Sequence, residues 1–276
     1  MYLEQDGKPF CFVQKKGVFM KARKSLGQNF LKDENIVDKI VNSVDVSEDD
    51  LIIEIGPGQG ALTKKLKRKG CYLIAFEIDN RMHEYLDELE DDKTRIVYDD
   101  VLNINLEREI SSFSYQNVYV IANLPYYITT PIIEKLIGSN IKISSFVVMV
   151  QKEVAERFSA LPKTRDYGYM TVKLNALYNV KKLFVVKNTC FDPIPKVDSA
   201  VIRFDIKEDD KEFYNYEKFD SIVSMAFSHK RKTLKNNLPK EIWDKISPYL
   251  ISKGISLSVR AEELSVDIYK DFSNLV

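Results

Sequence analysis

The chain has 276 residues, long enough for one large domain and a small one, and its composition of 45% hydrophobic and 30% charged residues is typical of a globular protein. Its apolar runs are far too short to span a bilayer, and its start has no apolar signal segment. Three cysteines and two histidines without metal-ligand spacing argue against a disulfide framework and a metal site. We therefore expect a cytoplasmic, monomeric protein that uses no metal and binds no membrane.

Charge is distributed unevenly, although 41 basic and 41 acidic residues give a net charge of zero. The segment from Lys8 to Lys32 holds seven Lys/Arg and no acid, and the segment from Ser228 to Lys240 holds five Lys/Arg and no acid. Two basic segments on a neutral chain are compatible with selective RNA binding. Solvated surface charge would give the same pattern, so charge alone leaves the partner open.

In chain order, the first predicted element is a flexible basic arm over residues 1–24, which lack hydrophobic periodicity. Asp33 then predicts the N-cap of a helix. The apolar stripe of that helix consists of Ile36, Val37, Ile40, Val41 and Val44.

Between residues 51 and 160, short apolar segments alternate with amphipathic ones. The predicted strands are 51–55, 72–76, 95–98, 118–122 and 145–150. The predicted helices are 61–69, 81–90, 130–137 and 151–160. This alternation predicts a mostly parallel sheet with helices on both faces.

The second half of the chain completes the sheet and then changes character. The segment 171–178 fits either a helix or a strand, whereas 183–187 and 199–206 predict late strands that bring the sheet to seven. A charged stretch at 207–211 predicts a linker. We therefore expect a catalytic α/β domain over 25–207 and a small all-α domain over 208–276.

A glycine-rich loop over residues 56–60 joins the first of these sheet strands to its helix. Glycines let the backbone approach a ligand, and Glu77, after the next strand, can accept the ribose hydroxyls of an adenosine. The loop also satisfies a loose dinucleotide fingerprint. Glu54 and Asp99-Asp100 would repel phosphates but attract the sulfonium and ammonium of S-adenosylmethionine. The residues favour a methyl donor and leave a dinucleotide open.

The fourth of these strands ends in Asn123-Leu124-Pro125-Tyr126. The asparagine offers an acceptor and a donor, the proline stiffens the loop, and the tyrosine offers a flat face for stacking. This combination suits a pocket for the exocyclic amine of a planar base. A plain strand exit with a turn proline is the alternative.

Six short motifs occur in order along the chain. They are KSLGQNFL at 24–31, EIGPGQG at 54–60, NLPY at 123–126, QKEVAER at 151–157, FDPIPKVDSA at 191–200 and AFSHKRKTL at 226–234. Together they resemble the ribosomal RNA adenine dimethyltransferase family. The last two resemble its small-subunit branch, which dimethylates two adjacent adenosines in a 3′-terminal hairpin. The resemblance implies a Rossmann-like methyltransferase that uses S-adenosylmethionine and acts on small-subunit rRNA within an assembling subunit.

The resemblance also implies roles for individual residues. The donor would be held by Asn29, Leu31, Gly56, Gly58, Glu77, Asp100 and Asn123. Asp99 stands where the family usually has glycine, so an exchange of roles between Asp99 and Asp100 stays open. The catalytic residues would be Asn123, Leu124, Tyr126 and Phe191. The side chain of Asn123 and the carbonyl of Leu124 would bind the adenine amine, and the rings of Tyr126 and Phe191 would stack on the base.

Cationic residues outside the catalytic motifs would hold RNA phosphates. They are Lys24, Lys196, Lys230, Arg231, Lys232 and Lys235, and the last four are predicted to form a charged collar at helical spacing. Two other functions stay open. One is methylation of large-subunit rRNA, as in macrolide resistance. The other is a catalytically silent RNA-binding assembly or transcription factor, which the intact glycine loop and Asn123 loop disfavour.

Overall fold

The computed structural model describes residues 22–23, 26–207 and 215–276. The strands are β1 (Phe30–Leu31), β2 (Leu51–Ile55), β3 (Tyr72–Phe76), β4 (Thr94–Val97), β5 (Val118–Asn123), β6 (Ile143–Gln151), β7 (Tyr178–Val186), β8 (Phe191–Asp192) and β9 (Ser199–Ile206). The helices are α1 (Glu34–Val41), α2 (Ala61–Lys67), α3 (His83–Leu86), α4 (Leu106–Ile110), α5 (Thr129–Ile137), α6 (Lys152–Phe158), α7 (Tyr169–Leu177), α8 (Tyr216–Ala226), α9 (Leu234–Asn237), α10 (Lys240–Ser252) and α11 (Val266–Leu275).

Seven strands form one sheet in the order β4-β3-β2-β5-β6-β9-β7. The first five are parallel, and β9 pairs antiparallel with both β6 and β7. Hydrophobic cores cover both faces, one against α1 and α2 and the other against α4, α5 and α7. The prediction of a mostly parallel seven-stranded α/β sheet is confirmed.

Strand β2 shows why these segments form a parallel sheet. All five of its residues are buried, as expected of a strand covered on both faces. Ile52 packs into the core beside α1 and α2, while Ile53 packs into the core on the opposite face. The centre of the sheet is therefore interior, and a ligand can reach β2 only at its end.

The strands separate at one point on that edge. Strand β2 pairs with β5 only as far as Ile53 opposite Val120, while its pairing with β3 continues through Ile55 opposite Phe76. The strand order also reverses direction between β2 and β5. In open α/β sheets, such a switch point opens a crevice at the carboxyl ends of the strands.

A two-stranded ribbon crosses this edge and was not predicted. In it, Phe30 pairs with Asp192 and Leu31 pairs with Phe191, antiparallel. The Lys32 N–H continues the ladder by donating to the Cys190 carbonyl at 3.0 Å. The ribbon therefore fastens the segment before α1 to the loop before β9.

Several local predictions need correction or refinement. The predicted helix at 81–90 is three short pieces: two 3₁₀ turns, Asn80–Met82 and Asp87–Leu89, flank α3. The ambiguous segment is helix α7, followed by β7, which begins at Tyr178 rather than at 183. Helix α4 was not predicted. The N-cap of α1 is confirmed, because Asp33 accepts bonds from the N–H groups of Asn35 and Ile36.

Helix α7 lies between two hydrophobic cores. Met170 and Leu174 belong to the core on the sheet, whereas Val172 and Ala176 belong to the core of the C-terminal helices. A helix that is apolar on opposite sides has no clear amphipathic stripe, and its sequence therefore fits a buried strand equally well.

Polar contacts tie the same helix to α8. Lys173 forms an ion pair with Asp220 at 2.9 Å, and the Tyr169 hydroxyl donates to the same carboxylate at 2.8 Å. The domain boundary at 207/208 stays a prediction, but the core of the C-terminal helices includes residues from before it. Among the described residues, no helix is both long and apolar enough to cross a membrane.

Candidate active site

A cavity of about 900 Å³ lies at the carboxyl edge of the sheet. Residues at the ends of β2, β3, β4 and β5 line it, together with the segment that leads into β1 and part of β8. The predicted donor-site residues that line it are Asn29, Leu31, Gly56, Gly58, Glu77, Asp100 and Asn123. One cavity thus brings together all seven.

The glycine loop has a backbone that side chains would obstruct. Gly56 and Gly58 have φ angles of 68° and 56°, in the left-handed region that favours glycine. A Cβ on Gly58 would lie 3.0 Å from two ring carbons of Phe30. The loop can therefore take its turn and still let the segment carrying β1 close over it.

Glu77 is held against this loop. Its Oε2 accepts from the Gly58 N–H and its Oε1 from the Asp79 N–H, both at 2.9 Å. Burial raises the pKa of this carboxyl, and the two N–H bonds oppose the rise. The bonds fix its orientation, and each carboxylate oxygen keeps a lone pair that can accept a ribose hydroxyl.

Glu54 is the other buried carboxyl of the cavity; the charge argument from the sequence expected it near a cationic donor, but the resemblance gave it no role. Its side chain is 1% exposed, and its two oxygens have no hydrogen-bond partner among the described residues. Burial raises the pKa of Glu54 to about 8. The Thr63 hydroxyl lies near enough to oppose that rise, although its geometry is not that of a hydrogen bond, and the Glu77 carboxylate adds to the rise. A buried acceptor without a partner is costly, which suggests that a ligand completes this site.

Asp99 and Asp100 both line the cavity after β4. Asp99 accepts from the Asp100 N–H at 2.7 Å, and Asp100 accepts from the Leu102 N–H at 2.9 Å. The apolar residue Val101, which was not predicted, also lines the cavity. The structure does not separate the roles of the two aspartates.

Asn123 and Leu124 lie at the end of β5, across the crevice from the glycine loop. The Asn123 Nδ2 donates to the Asn29 carbonyl at 3.2 Å, so its nitrogen end faces the covering segment. The Leu124 N–H donates to the Met149 carbonyl at 3.1 Å. These bonds fix the loop and leave the Asn123 Oδ1 as the end of the side chain that can accept a hydrogen bond.

Tyr126 lines the same cavity and is anchored from behind. Its hydroxyl lies 2.6 Å from the Oγ of Ser199, which is fully buried at the start of β9. Burial raises the pKa of Tyr126, so its phenol stays neutral near pH 7. Ser199 belongs to the motif at 191–200, but it was not predicted to act in the site.

The structure does not place Phe191 as expected. Its side chain is 0% exposed and packs with Leu31, Val37 and Ile40, while its neighbours Asp192 and Pro193 line the cavity. The reason is the ribbon, in which Phe191 pairs with Leu31 and points into the core. In this conformation Phe191 cannot stack on a base.

A network around Asp79 holds the covering segment and was not predicted. Asp79 is 1% exposed and accepts from the Gln28 Nε2 at 2.9 Å and from the Arg81 Nε at 2.9 Å. The hydrogen bond from Arg81 is the main cause that lowers the pKa of Asp79 to about 2. In the sequence, Asp79 is marked by its position two residues after Glu77, which was predicted to bind the donor.

The predicted RNA-binding residues that the structure describes do not line the cavity. Lys24 lies outside the described residues, and Lys196 is exposed on the loop after β8. Lys230, Arg231 and Lys232 are exposed in a turn between α8 and α9, which we call the basic turn (residues 228–233). The predicted helical collar is therefore wrong, because α8 ends at Ala226 and only Lys235 lies on a helix.

The arrangement fits an adenosine with a cationic tail. Glu77 and Asp100 offer acceptors at neighbouring strand ends, the glycine loop leaves room for close approach, and Glu54 lacks a partner. Asn123 and Tyr126 add an acceptor and a flat ring across the crevice. The cavity can therefore hold a donor beside a planar acceptor.

Comparisons with known proteins identify related sequences over most of the chain. A family model described as ribosomal RNA adenine dimethylase matches residues 19–276. Proteins named ribosomal RNA small subunit methyltransferase A, from Streptococcus pneumoniae strains D39 and R6, are 44% identical over 255 residues, with 88% of each chain covered. The protein of that name from strain P1031 is 42% identical over 268 residues, with 91% of each chain covered.

Two solved structures share the fold. A dimethyladenosine transferase from Plasmodium falciparum superposes with a TM-score of 0.72 at 24% identity, covering 88% of this chain and 95% of that chain. The 23S rRNA methyltransferase ErmE superposes with a TM-score of 0.67 at 23% identity, covering 90% of this chain and 99% of that chain. At these identities the likeness shows a shared Rossmann-like methyltransferase fold.

Proposed function

Because the chain belongs to the ribosomal RNA adenine dimethylase family, we propose that it methylates N6 of two adjacent adenosines in a 3′-terminal hairpin of small-subunit rRNA. It is an S-adenosylmethionine-dependent methyltransferase that acts in ribosome biogenesis. The observation that carries the proposal is the crevice between β2 and β5, where carboxylates on one side face Asn123 and Tyr126 on the other. That arrangement provides one place for a donor and one for a base.

The acceptor amine needs help because the N6 lone pair of adenine is delocalised into the ring. Hydrogen bonds from N6–H to the Asn123 Oδ1 and the Leu124 carbonyl would favour a tetrahedral nitrogen and free that lone pair. The Asn123 Nδ2 already donates a hydrogen bond to the Asn29 carbonyl, so the Oδ1 is the end of the side chain that can accept one from the adenine amine. S-adenosylmethionine supplies an activated methyl group, so positioning supplies most of the remaining rate.

The target base must leave its stack, at a cost of roughly a few kcal/mol. Tyr126 can offset part of this cost by stacking on the base, worth about 1–3 kcal/mol. Its hydroxyl is held by Ser199, which limits rotation of the ring. Phe191 would offer a second face only after a rearrangement of the ribbon, because its ring is fully buried.

We assign binding of the RNA to the exposed cations. Lys196, Lys235 and the basic turn are available to phosphates, and the same role is proposed for Lys24. We further propose that the protein works as a monomer in the cytoplasm, on a partly assembled small subunit.

The test is to map the modified nucleotides. Partly assembled small subunits that lack the modification are incubated with the protein and labelled S-adenosylmethionine, beside protein-free large-subunit rRNA. Label in two adjacent adenosines near the 3′ end of the small-subunit rRNA is expected. Preferred labelling of large-subunit rRNA would contradict the proposal, and so would a failure to bind the donor in calorimetry.

A further inference from the structure

The side chain of Tyr127 is exposed at the rim of the cavity. It is 53% exposed, and it is the single aromatic residue among the exposed large apolar side chains of the described part of the chain. Of those exposed side chains, only Ile78 and Tyr127 line the cavity. Ile78 follows Glu77 on the side assigned to the donor, whereas Tyr127 follows the Asn123 loop on the side assigned to the base. A base can therefore reach the ring of Tyr127 from solvent.

Tyr126 and Tyr127 are consecutive, but their rings point in different directions. Both lie in the 3₁₀ turn Tyr126–Ile128, in which each residue is rotated about 120° from the one before it. The Tyr126 hydroxyl is bonded to Ser199 on β9. A Cβ on Gly27, in the segment before β1 that covers the cavity, would lie 3.0 Å from Cδ1 and 3.4 Å from Cε1 of Tyr127. One edge of the Tyr127 ring thus lies against the covering segment, and the rest of the ring is open.

Extrusion of a target base leaves a second base without a stacking partner. When one base leaves a stacked strand, the base next to it loses a neighbour that lay about 3.4 Å away. A protein ring can replace that neighbour, as aromatic side chains do for successive bases of a single strand. Purines present a larger π face than pyrimidines, so an adenosine gains more from such a ring than a uridine does.

Resting on the proposed function, we propose that Tyr127 is the stacking platform for the nucleotide beside the target and that it favours a purine there. While one adenosine of the pair occupies the pocket between Asn123 and Tyr126, the other stacks on the open part of the Tyr127 ring. Because the platform lies on one side of the pocket, it receives the neighbour on one side of the target only. Replacement of one adenosine of the pair should therefore affect Tyr127, and replacement of the other should not.

The contact with Gly27 would also allow Tyr127 to hold the covering segment over the donor. That segment is already held by the bond from Asn123 to the Asn29 carbonyl and by the ribbon of β1 and β8. A ring that served only to hold the segment would bury most of its surface against it, but 53% of Tyr127 is exposed. The open surface favours the role of a platform.

The experiment combines one substitution in the protein with one in the RNA. Wild type and Tyr127→Ala methylate partly assembled small subunits whose rRNA carries both adenosines, or a uridine in place of either one. Label is compared at the same remaining adenosine. With both adenosines present, Tyr127→Ala is expected to lower the single-turnover rate at subsaturating particle about 5- to 10-fold. With uridine on the platform side, it is expected to lower the rate by less than about twofold, because little stacking is left to lose.

Two further variants and a binding measurement serve as controls. Tyr127→Phe keeps the ring and should match wild type, and so should Val185→Ala, which alters an exposed apolar side chain of β7 that does not line the cavity. Calorimetry with S-adenosylmethionine should give the same donor affinity for Tyr127→Ala as for wild type.

The outcomes distinguish this inference from the function on which it rests. An equal loss by Tyr127→Ala on all three particles would overturn the platform and leave the proposed function standing. A donor affinity that falls as far as the methylation rate, or a loss in Tyr127→Phe as large as in Tyr127→Ala, would do the same. Failure of the wild type to label either adenosine of the native pair would overturn both.

Discussion

The cavity and the basic turn are the two surfaces to which we assign donor and RNA binding, and they differ in how their polar groups are held. In the cavity, polar groups are buried and oriented: Glu77 accepts two N–H bonds, Asn123 donates to Asn29, and Tyr126 is held by Ser199. In the basic turn the cations are exposed, and no ion pair within the described residues involves them. The cavity has fixed geometry, whereas the basic turn offers charge without fixed geometry.

Under the proposed function, the cavity carries out methyl transfer and the basic turn contributes to RNA affinity. Bonds inside a water-poor cavity are little affected by salt, while exposed cations are screened within about 10 Å at 0.1 M salt. Substitutions in the cavity should therefore change turnover, and substitutions in the basic turn should change affinity and its dependence on salt. Each prediction below tests whether the two surfaces can be altered independently.

The largest effect is expected from Asn123→Ala. Alanine removes both the acceptor for the adenine amine and the bond to Asn29, so turnover should fall at least about hundredfold. Binding of RNA should stay nearly unchanged, because the exposed cations are intact. Single-turnover methylation and filter binding measure the two quantities.

A matched control is Asn179→Ala, which alters an exposed asparagine on β7. It should leave both turnover and RNA binding at the wild-type level. If Asn123→Ala kept full turnover, the catalytic assignment would be wrong. If it weakened RNA binding as strongly as turnover, the separation of the two surfaces would fail.

A smaller effect is expected at Tyr126. Tyr126→Ala removes the stacking face and should lower kcat/KM by about 5- to 150-fold, equivalent to about 1–3 kcal/mol. Tyr126→Phe keeps the ring and loses only the bond to Ser199, so it should retain most activity and lose about 1 kcal/mol of stability. Steady-state kinetics and urea unfolding distinguish these outcomes. Equal activity losses in both variants would show that the hydroxyl, not the ring, matters.

The basic turn is tested by replacing Lys230, Arg231 and Lys232 together with alanine. RNA affinity should fall roughly tenfold at physiological salt, and the slope of log affinity against log salt should fall by about 2–3. Turnover at saturating RNA should be preserved, because no cavity residue is changed. Binding titrations between about 50 and 300 mM salt measure the slope, because contacts between exposed cations and phosphates are progressively screened over about that range.

The control removes the same charge from the same part of the chain. Lys240 and Lys245 are exposed on α10 and Lys253 is exposed directly after it, and their triple alanine variant should change the slope by less than one unit. An equal loss of affinity in both triple variants would mean that net charge, not the basic turn, determines binding.

The smallest effect is expected from Asp79→Asn, which weakens the bonds that hold the covering segment. The free energy of unfolding at pH 7 should fall by about 1–2 kcal/mol. Because the pKa of folded Asp79 is lowered to about 2, its contribution is present above about pH 4 and is lost as the pH falls toward 2. Urea unfolding at pH 7, 4 and 3 should show that the difference in free energy of unfolding between wild type and variant becomes smaller as the pH falls. A constant difference, or an equal loss in the exposed Asp244→Asn control, would contradict the prediction.

The sequence was sufficient where short-range rules decide the structure. The apolar run 51–55 and the glycines after it predicted a strand, a turn and a helix, and the structure has all three. Strand ends in a parallel sheet share one edge, so the acids after β3 and β4 could be expected near Asn123. These rules predicted most of the cavity.

The missed features depend on pairing between distant segments. Nothing local marks Phe30–Leu31 as a strand, and only its pairing with residues 191–192 makes it one. That pairing buries Phe191, and it brings Gln28 close to Asp79. The charged collar failed for a different reason: Lys and Arg are good helix formers, so their spacing fits a helix and could not show that α8 ends at Ala226.

The two faces of α7 have a consequence for dividing the chain. Cutting at 207 would leave Val172 and Ala176 bare on one fragment and remove part of the core under Phe219 and Tyr269 on the other. Each fragment would then expose an apolar patch of the kind that promotes aggregation. A chimera that exchanges the C-terminal helices between relatives should therefore carry the matching face of α7 with it, because that helix contributes residues to the core of those helices.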